Sequence, residues 1–151
     1  MIRTLSIIAI LGSMLTVFSS CKKEPEQSCG TCPVGGSVNT PQGFTYTKNG
    51  GTAITADSAF FLPASNTIVA YYQGGTNRVI IKTASQNPGT YSVSTTNKVT
   101  HLDAYGTYNA TGGNVNITAN ANNKMSGSFI TNGTGAGYIS VNGQFQDIPK
   151  K

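Results

Sequence analysis

Two residue pairs in this chain have the spacing that chemistry asks for. Cys29-Gly30-Thr31-Cys32 sets two thiols around a two-residue gap, the spacing of redox dithiols and of half a zinc site. His101 and Asp103 stand at i and i+2, so on an extended strand both leave the same face and the carboxylate can orient the imidazole. Neither pair is completed by its surroundings. A thioredoxin-type pair needs its first cysteine at a helix N-terminus behind a buried strand, where the dipole lowers the thiol pKa. No apolar strand precedes Cys29, and Pro33-Val34-Gly35-Gly36 does not start a helix of useful length. A second zinc half-site is missing, and His101 is the chain's single histidine. A small Cys29–Cys32 disulfide is the expectation in an oxidising compartment.

The His101/Asp103 pair reads as a solvent-facing polar pair, with Leu102 and Ala104 pointing inward. Serines are plentiful as stand-in nucleophiles, yet residues 43–149 hold three aspartates, one histidine and no glutamate. That falls short of the nucleophile with base, placed carboxylates or metal cluster of a hydrolase. The chain is read as no enzyme, with no catalytic, cofactor or metal-binding residues.

The elements around these pairs divide the chain in three. Met1-Ile2-Arg3-Thr4 carries one positive charge, Leu5 to Phe18 is an apolar run of 14 residues, and Ser19-Ser20 leads to Cys21. A basic start, a short apolar region and small residues before the cut describe a signal peptide, residues 1–20. The run is short of the roughly 20 apolar residues of a membrane-spanning helix. A cysteine after the cut is the acceptor of a diacylglyceryl anchor, so Cys21 is read as the lipidation site. Two or more acyl chains give stable anchoring where one does not. Lys22 after Cys21, in place of Asp, directs the expectation to the outer membrane and leaves open which side the body faces. Residues 21–42 form a flexible tether, polar and rich in glycine and proline, with too little apolar surface to offset the entropy of ordering.

Residues 43–149 make one β-domain. Lys48, Arg78, Lys82, Lys98 and Lys124 stand against Asp57, Asp103 and Asp147, and five scattered cations are no nucleic-acid stripe. Val115, Ile117 and Ala119 alternate with polar residues, as do Met125, Gly127 and Phe129, so 114–131 reads as a hairpin turning at 121–123. Ile139, Val141, Gly143 and Phe145 repeat the pattern. Ile117, Phe129, Val141 and Phe145 are therefore expected in the core. Asn49-Gly50 and Gly74-Gly75 mark further turns, and Val79-Ile80-Ile81 reads as a central strand buried on both faces. Eight to ten strands imply an all-β antiparallel sandwich or closed barrel, behind a signal helix and the tether.

Val115-Asn116-Ile117-Thr118 followed by Asn123-Lys124-Met125-Ser126-Gly127-Ser128-Phe129, and the close Val141-Asn142-Gly143-Gln144-Phe145-Gln146-Asp147-Ile148-Pro149, resemble small all-β lipoproteins of the Bacteroidota type, a family of unknown function. Gly43-Phe44-Thr45-Tyr46 and Asn49-Gly50-Gly51 are similar to the first hairpin of those proteins. The resemblance covers most of 43–149, leaves Cys29 and Cys32 outside it, and implies a membrane-anchored β-domain. It transfers no catalytic residue.

Asp57-Ser58-Ala59 matches the short O-glycosylation pattern of envelope proteins in such bacteria and makes Ser58 a candidate acceptor. Tyr105 and Tyr108, with Asn109 and Asn114 beside them, are candidates for an aromatic platform under a glycan, provided Gly106 brings both rings to one face. Two functions follow: a structural or protein-interaction module that binds another envelope protein, or a carbohydrate-binding accessory lipoprotein. The missing tryptophan counts against the second. For the anchor, Cys21→Ser is expected to abolish lipid labelling and leave the precursor unprocessed. Variant protein still held in the outer-membrane fraction after a carbonate wash contradicts the assignment.

Overall fold

Alternating apolar and polar residues are realised as strand after strand in the computed structural model, which describes residues 43–151. The signal segment, the tether and Cys21, Cys29 and Cys32 lie outside the described residues. Ten strands follow one another: β1 (Gly43–Lys48), β2 (Ile54–Thr55), β3 (Ser58–Leu62), β4 (Thr67–Tyr72), β5 (Asn77–Lys82), β6 (Gly89–Ser92), β7 (Lys98–Asp103), β8 (Gly106–Ala121), β9 (Lys124–Thr134) and β10 (Ser140–Pro149). One 3-10 turn, Pro63–Ser65, separates β3 from β4.

All strand pairs named among these elements are antiparallel and belong to one sheet, in the order β2-β1-β10-β9-β8-β7-β5-β4-β3, with β6 added to β8. β8 is long enough for two partners on one edge: Gly106–Asn109 pairs with β7 and Asn114–Ile117 with β6. The far strand, β3, comes back to the start of the order. Phe61 forms a parallel bridge with Lys150, and the Lys151 N–H donates to the Phe61 carbonyl at 2.9 Å. The result is a single sheet curled on itself and not two stacked sheets.

The turns follow their residue types. Asn49 and Gly50 have φ of 51° and 67°, and the Gly51 N–H closes on the Lys48 carbonyl at 2.9 Å, as an Asn-Gly hairpin turn requires. Asn122 and Asn123 do the same between β8 and β9, with φ of 52° and 58°.

Ile117, Phe129, Val141 and Phe145 are all buried in one core with Phe44, Phe61, Ile81 and Val115. Four expectations are corrected. Ile139, grouped with Val141 and Phe145, is exposed, because it lies in the turn ahead of β10 with its N–H held by Asn49 Oδ1. Val79 and Ile81 are buried but Ile80 is only half-buried, because β5 is central in the sheet yet covered on the inner face alone. Ala119 is exposed, since the β8–β9 register shifts between Ile117 and Ala119 and the bulge turns the next side chain outward. In β7, Val99 and His101 point into the core while Leu102 is partly exposed, so the face of the His101/Asp103 pair is inverted. Val99, two residues before His101, sets the period.

Inside, glycine meets phenylalanine. Phe145 is paired with Gly127 and Phe129 with Gly143 across β9 and β10. A Cβ on Gly127 would stand 2.5 Å from the Phe145 ring, and one on Gly143 2.8 Å from the Phe129 ring. Removing a buried phenylalanine costs about 3–5 kcal/mol, a large part of a typical domain's roughly 5–15 kcal/mol. Phe129→Ala is thus expected to unfold or strongly destabilise the domain, and Gly143→Ala to lower its thermal midpoint as well. An unchanged midpoint in Phe129→Ala would mean that the inner and outer faces of β9 are exchanged.

Candidate functional site

Period two puts Tyr46 and Lys48 on the inner face of β1 and His101 and Asp103 on that of β7. A fifth side chain, Tyr138, comes from the segment between β9 and β10. Together they form a buried polar chain at one end of the sheet. The Asp103 side chain is only 5% exposed, and Lys48 Nζ donates to its Oδ2 at 3.1 Å. The Tyr138 hydroxyl donates to the same oxygen at 3.3 Å. The backbone N–H of Tyr105 donates to Oδ1 at 2.9 Å.

His101 is fully buried, with Nδ1 against the Tyr138 hydroxyl and Nε2 3.0 Å from the Tyr46 hydroxyl. One tautomer satisfies every group. Tyr138 has spent its proton on Asp103, so it accepts from Nδ1–H, and Nε2 then accepts from Tyr46. Donation therefore runs from Tyr46 through His101 and Tyr138 to the carboxylate, each bond polarising the next.

The electrostatics agree with that assignment. Burial, and secondarily the Lys48 charge, lowers the His101 pKa from 6.5 to about 4 against the opposing pull of Asp103. The imidazole is neutral at neutral pH. Burial by itself pushes the Asp103 carboxyl up, but the Lys48 hydrogen bond, the Tyr105 N–H and the Lys48 charge together hold it below its ordinary value. Burial followed by the charges of Tyr72 and Asp103 raises Tyr46 from 10.0 to about 12. Tyr138 is raised too, by burial first and then by Asp103.

Next to this chain lies a cleft of about 250 Å³ lined by Tyr46, Lys48, Ile54, Tyr72, Gln73, Asn77, His101, Asp103, Ala104 and Tyr105. No serine, threonine or cysteine is among these, and the hydroxyls next to the imidazole are the phenols of Tyr46 and Tyr138. Residue types and spacing singled out His101 and Asp103, but as a solvent-facing pair, whereas His101 is fully buried. Tyr46 carried a weaker signal in its alternation with Phe44. Tyr138 carried none, because it sits outside any periodic segment.

The aromatic platform is corrected. Ala104 and Tyr105 form a two-residue turn closed by the Asp103–Gly106 pair, which leaves Tyr105 82% exposed at the tip. Tyr108 stands opposite His101 and is fully buried. Its ring stacks on Tyr138 at 5.4 Å and its hydroxyl meets Thr131 Oγ1 at 3.1 Å. Gly106 thus starts a strand and makes no bulge that would return Tyr108 to the surface. Asn109 and Asn114 are exposed on β8, bonded to Thr100 and Ser92. Ser58 opens β3 and is exposed, and Asp57 before it accepts from the Gly74 N–H at 3.0 Å.

Comparison with protein-family models, curated proteins and solved structures finds no match to this chain.

Stability should report the buried chain through pH. A histidine whose folded pKa lies below its unfolded one contributes stability that is complete above the unfolded value and lost as pH falls. The acid limb is therefore expected as pH drops from about 6.5 towards 4. The alkaline limb follows from Tyr46, between 10.0 and about 12. Denaturant midpoints against pH, with the single histidine followed by NMR, check this. His101→Phe should flatten the acid limb, whereas a His101 resonance titrating near 6.5 in the folded protein is incompatible with the assignment.

Proposed function

We propose that the chain is a lipid-anchored envelope protein whose β-domain is a structural and protein-interaction module without catalysis of its own. The observation that carries this reading is a pair of uncharged rows on the outer face of β1, β10, β9, β8 and β6. The register aligns Thr47, Asn142, Ile130, Asn114 and Ser92 in one row across five strands. Thr45, Gln144, Ser128, Asn116 and Thr90 form the next row. No charge interrupts either. A shallow depression of about 420 Å³ lies there, bordered by Thr45, Thr47, Ala53, Ser128, Ile130, Asn142 and Gln144. Ile130 is 69% and Ile139 72% exposed.

The centres of protein interfaces are depleted in charge, because a charge that loses water there must be paired. Hydroxyls and amides bond to a partner's polar groups without that cost, and exposed isoleucines add apolar area. The described domain's most closely assembled titratable groups are meanwhile engaged with one another inside the sheet. Lipid attachment through Cys21, the outer membrane and residence in the envelope belong to the same proposal, supported by the order of residues around Cys21.

Site-specific photo-crosslinking in the native host tests the face. A photoreactive residue in place of Ile130 is expected to trap one discrete envelope protein, and one in place of Lys82 on β5 is not. Identical products from both positions, or none from either, would remove the outer face as the working surface.

A further inference from the structure

The cleft beside the buried chain holds a group that the fold itself leaves unsatisfied. Asn77, the first residue of β5, is only 6% exposed. Its Nδ2 donates to Gln73 Oε1 at 2.6 Å, but its Oδ1 has no hydrogen-bond partner among the described residues. A buried acceptor without a donor costs about 1–3 kcal/mol. Asn77 lines the cleft and its Oδ1 is covered, so a small turn of the amide toward a ligand hydroxyl in the cleft would relieve that cost.

We propose that this cleft binds a single ring of a neutral sugar, held by Asn77, Gln73 and Lys48 below and by the aromatic rings of Tyr105 and Tyr72 at its rim. The neutral class follows from the charges present. Lys48 and Asp103 are paired at 3.1 Å and cancel, and every other lining side chain except the buried His101 is an amide, a phenol or apolar. A charged ligand would give up water without a free opposite charge to replace it. Hydroxyls suit the site from both sides, because they donate to Asn77 Oδ1 and accept from the remaining Lys48 protons.

Size points the same way. Pockets for drug-sized molecules run from roughly 300 to 1,000 Å³, and a cleft of about 250 Å³ suits something nearer to one ring. The C–H faces of such a ring pack on aromatic surface, and Tyr105 offers it at 82% exposure. The other aromatic residue offered to the ring is Tyr72, from the end of β4, which lines the same cleft, and not Tyr108. This site stands apart from the outer face described above and does not depend on it.

The full-length protein in detergent micelles is titrated with D-glucose, D-galactose, D-mannose and N-acetyl-D-glucosamine, and with D-glucuronate as the charged comparison. Binding is read by calorimetry and by NMR of tyrosine ring and side-chain amide signals. At least one neutral sugar is expected to bind saturably, shifting the Asn77 amide and the Tyr72 and Tyr105 rings. Tyr105→Ala, at an exposed turn tip, should stay folded and weaken that binding about tenfold, equivalent to about 1.4 kcal/mol. Asn77→Leu should weaken it similarly; if that variant does not fold, Tyr105→Ala decides. No saturable binding by any neutral sugar overturns the assignment. So do tighter binding of D-glucuronate, shifts confined to other surfaces, or unchanged affinity in folded Tyr105→Ala.

Discussion

On the inner face of β9 and β10, Phe145 lies opposite Gly127 and Phe129 opposite Gly143, and the curl of the sheet rests on that exchange. A curled sheet has less room inside than outside, so its inner face cannot carry a large side chain at every position. Each glycine gives its space to the ring across from it, and each ring covers backbone that the glycine leaves bare. Phe44 joins from β1, with ring centroids 5.6 Å from Phe129 and 6.1 Å from Phe145. Three adjacent strands are thereby tied together by aromatic contact as well as by backbone hydrogen bonds.

At one end of the sheet the interior holds polar groups, and the same geometry explains why they are tolerated. Tyr46, two residues beyond Phe44 on the same face, reaches His101 with its hydroxyl at 3.0 Å, and the two rings are 5.1 Å apart. The aromatic core thus grades into the hydrogen-bonded chain without a break in packing. Asp103 ends that chain, and Lys48, on the same face of β1 as Tyr46, neutralises it. A buried carboxylate without that partner would be strongly destabilising; with it, the arrangement need not gain much energy and still specifies one pairing of side chains. It links β1, β7 and the segment before β10 across the interior.

Local patterns made the strands legible. Ile117, Phe129, Val141 and Phe145 lie inward because each sits in an alternating run whose polar partners cannot be buried cheaply. Asn49-Gly50 and Asn122-Asn123 announced turns because few other residues accept a positive φ. Legibility ended where the determinant was remote. Tyr46 and Tyr138 meet His101 from 55 and 37 residues away in sequence, and no local signal marks that meeting. Choosing Leu102 over His101 as the inward residue followed hydropathy, but burial of an imidazole is decided by whether both nitrogens find partners. Ala119 failed for a different reason, since a bulge reverses parity without changing composition.

The inward burial of charge also shapes what the exterior can offer. Of the charged side chains in 43–149, Lys48 and Asp103 are consumed by each other, and none of those remaining stands in the two aligned rows of β1, β10, β9, β8 and β6. Long-range steering of a charged partner needs a concentrated field, and these rows supply none. The proposed recognition through them would come at short range, from the fit of hydroxyls, amides and Ile130 to a surface already held close by. A lipid anchor would provide that proximity, because confinement raises the local concentration of a partner on the same membrane without any new contact. An uncharged, short-range surface and the proposed membrane tether would therefore complement each other physically: the tether would supply encounter, which such a surface cannot, and the surface selectivity, which a tether cannot.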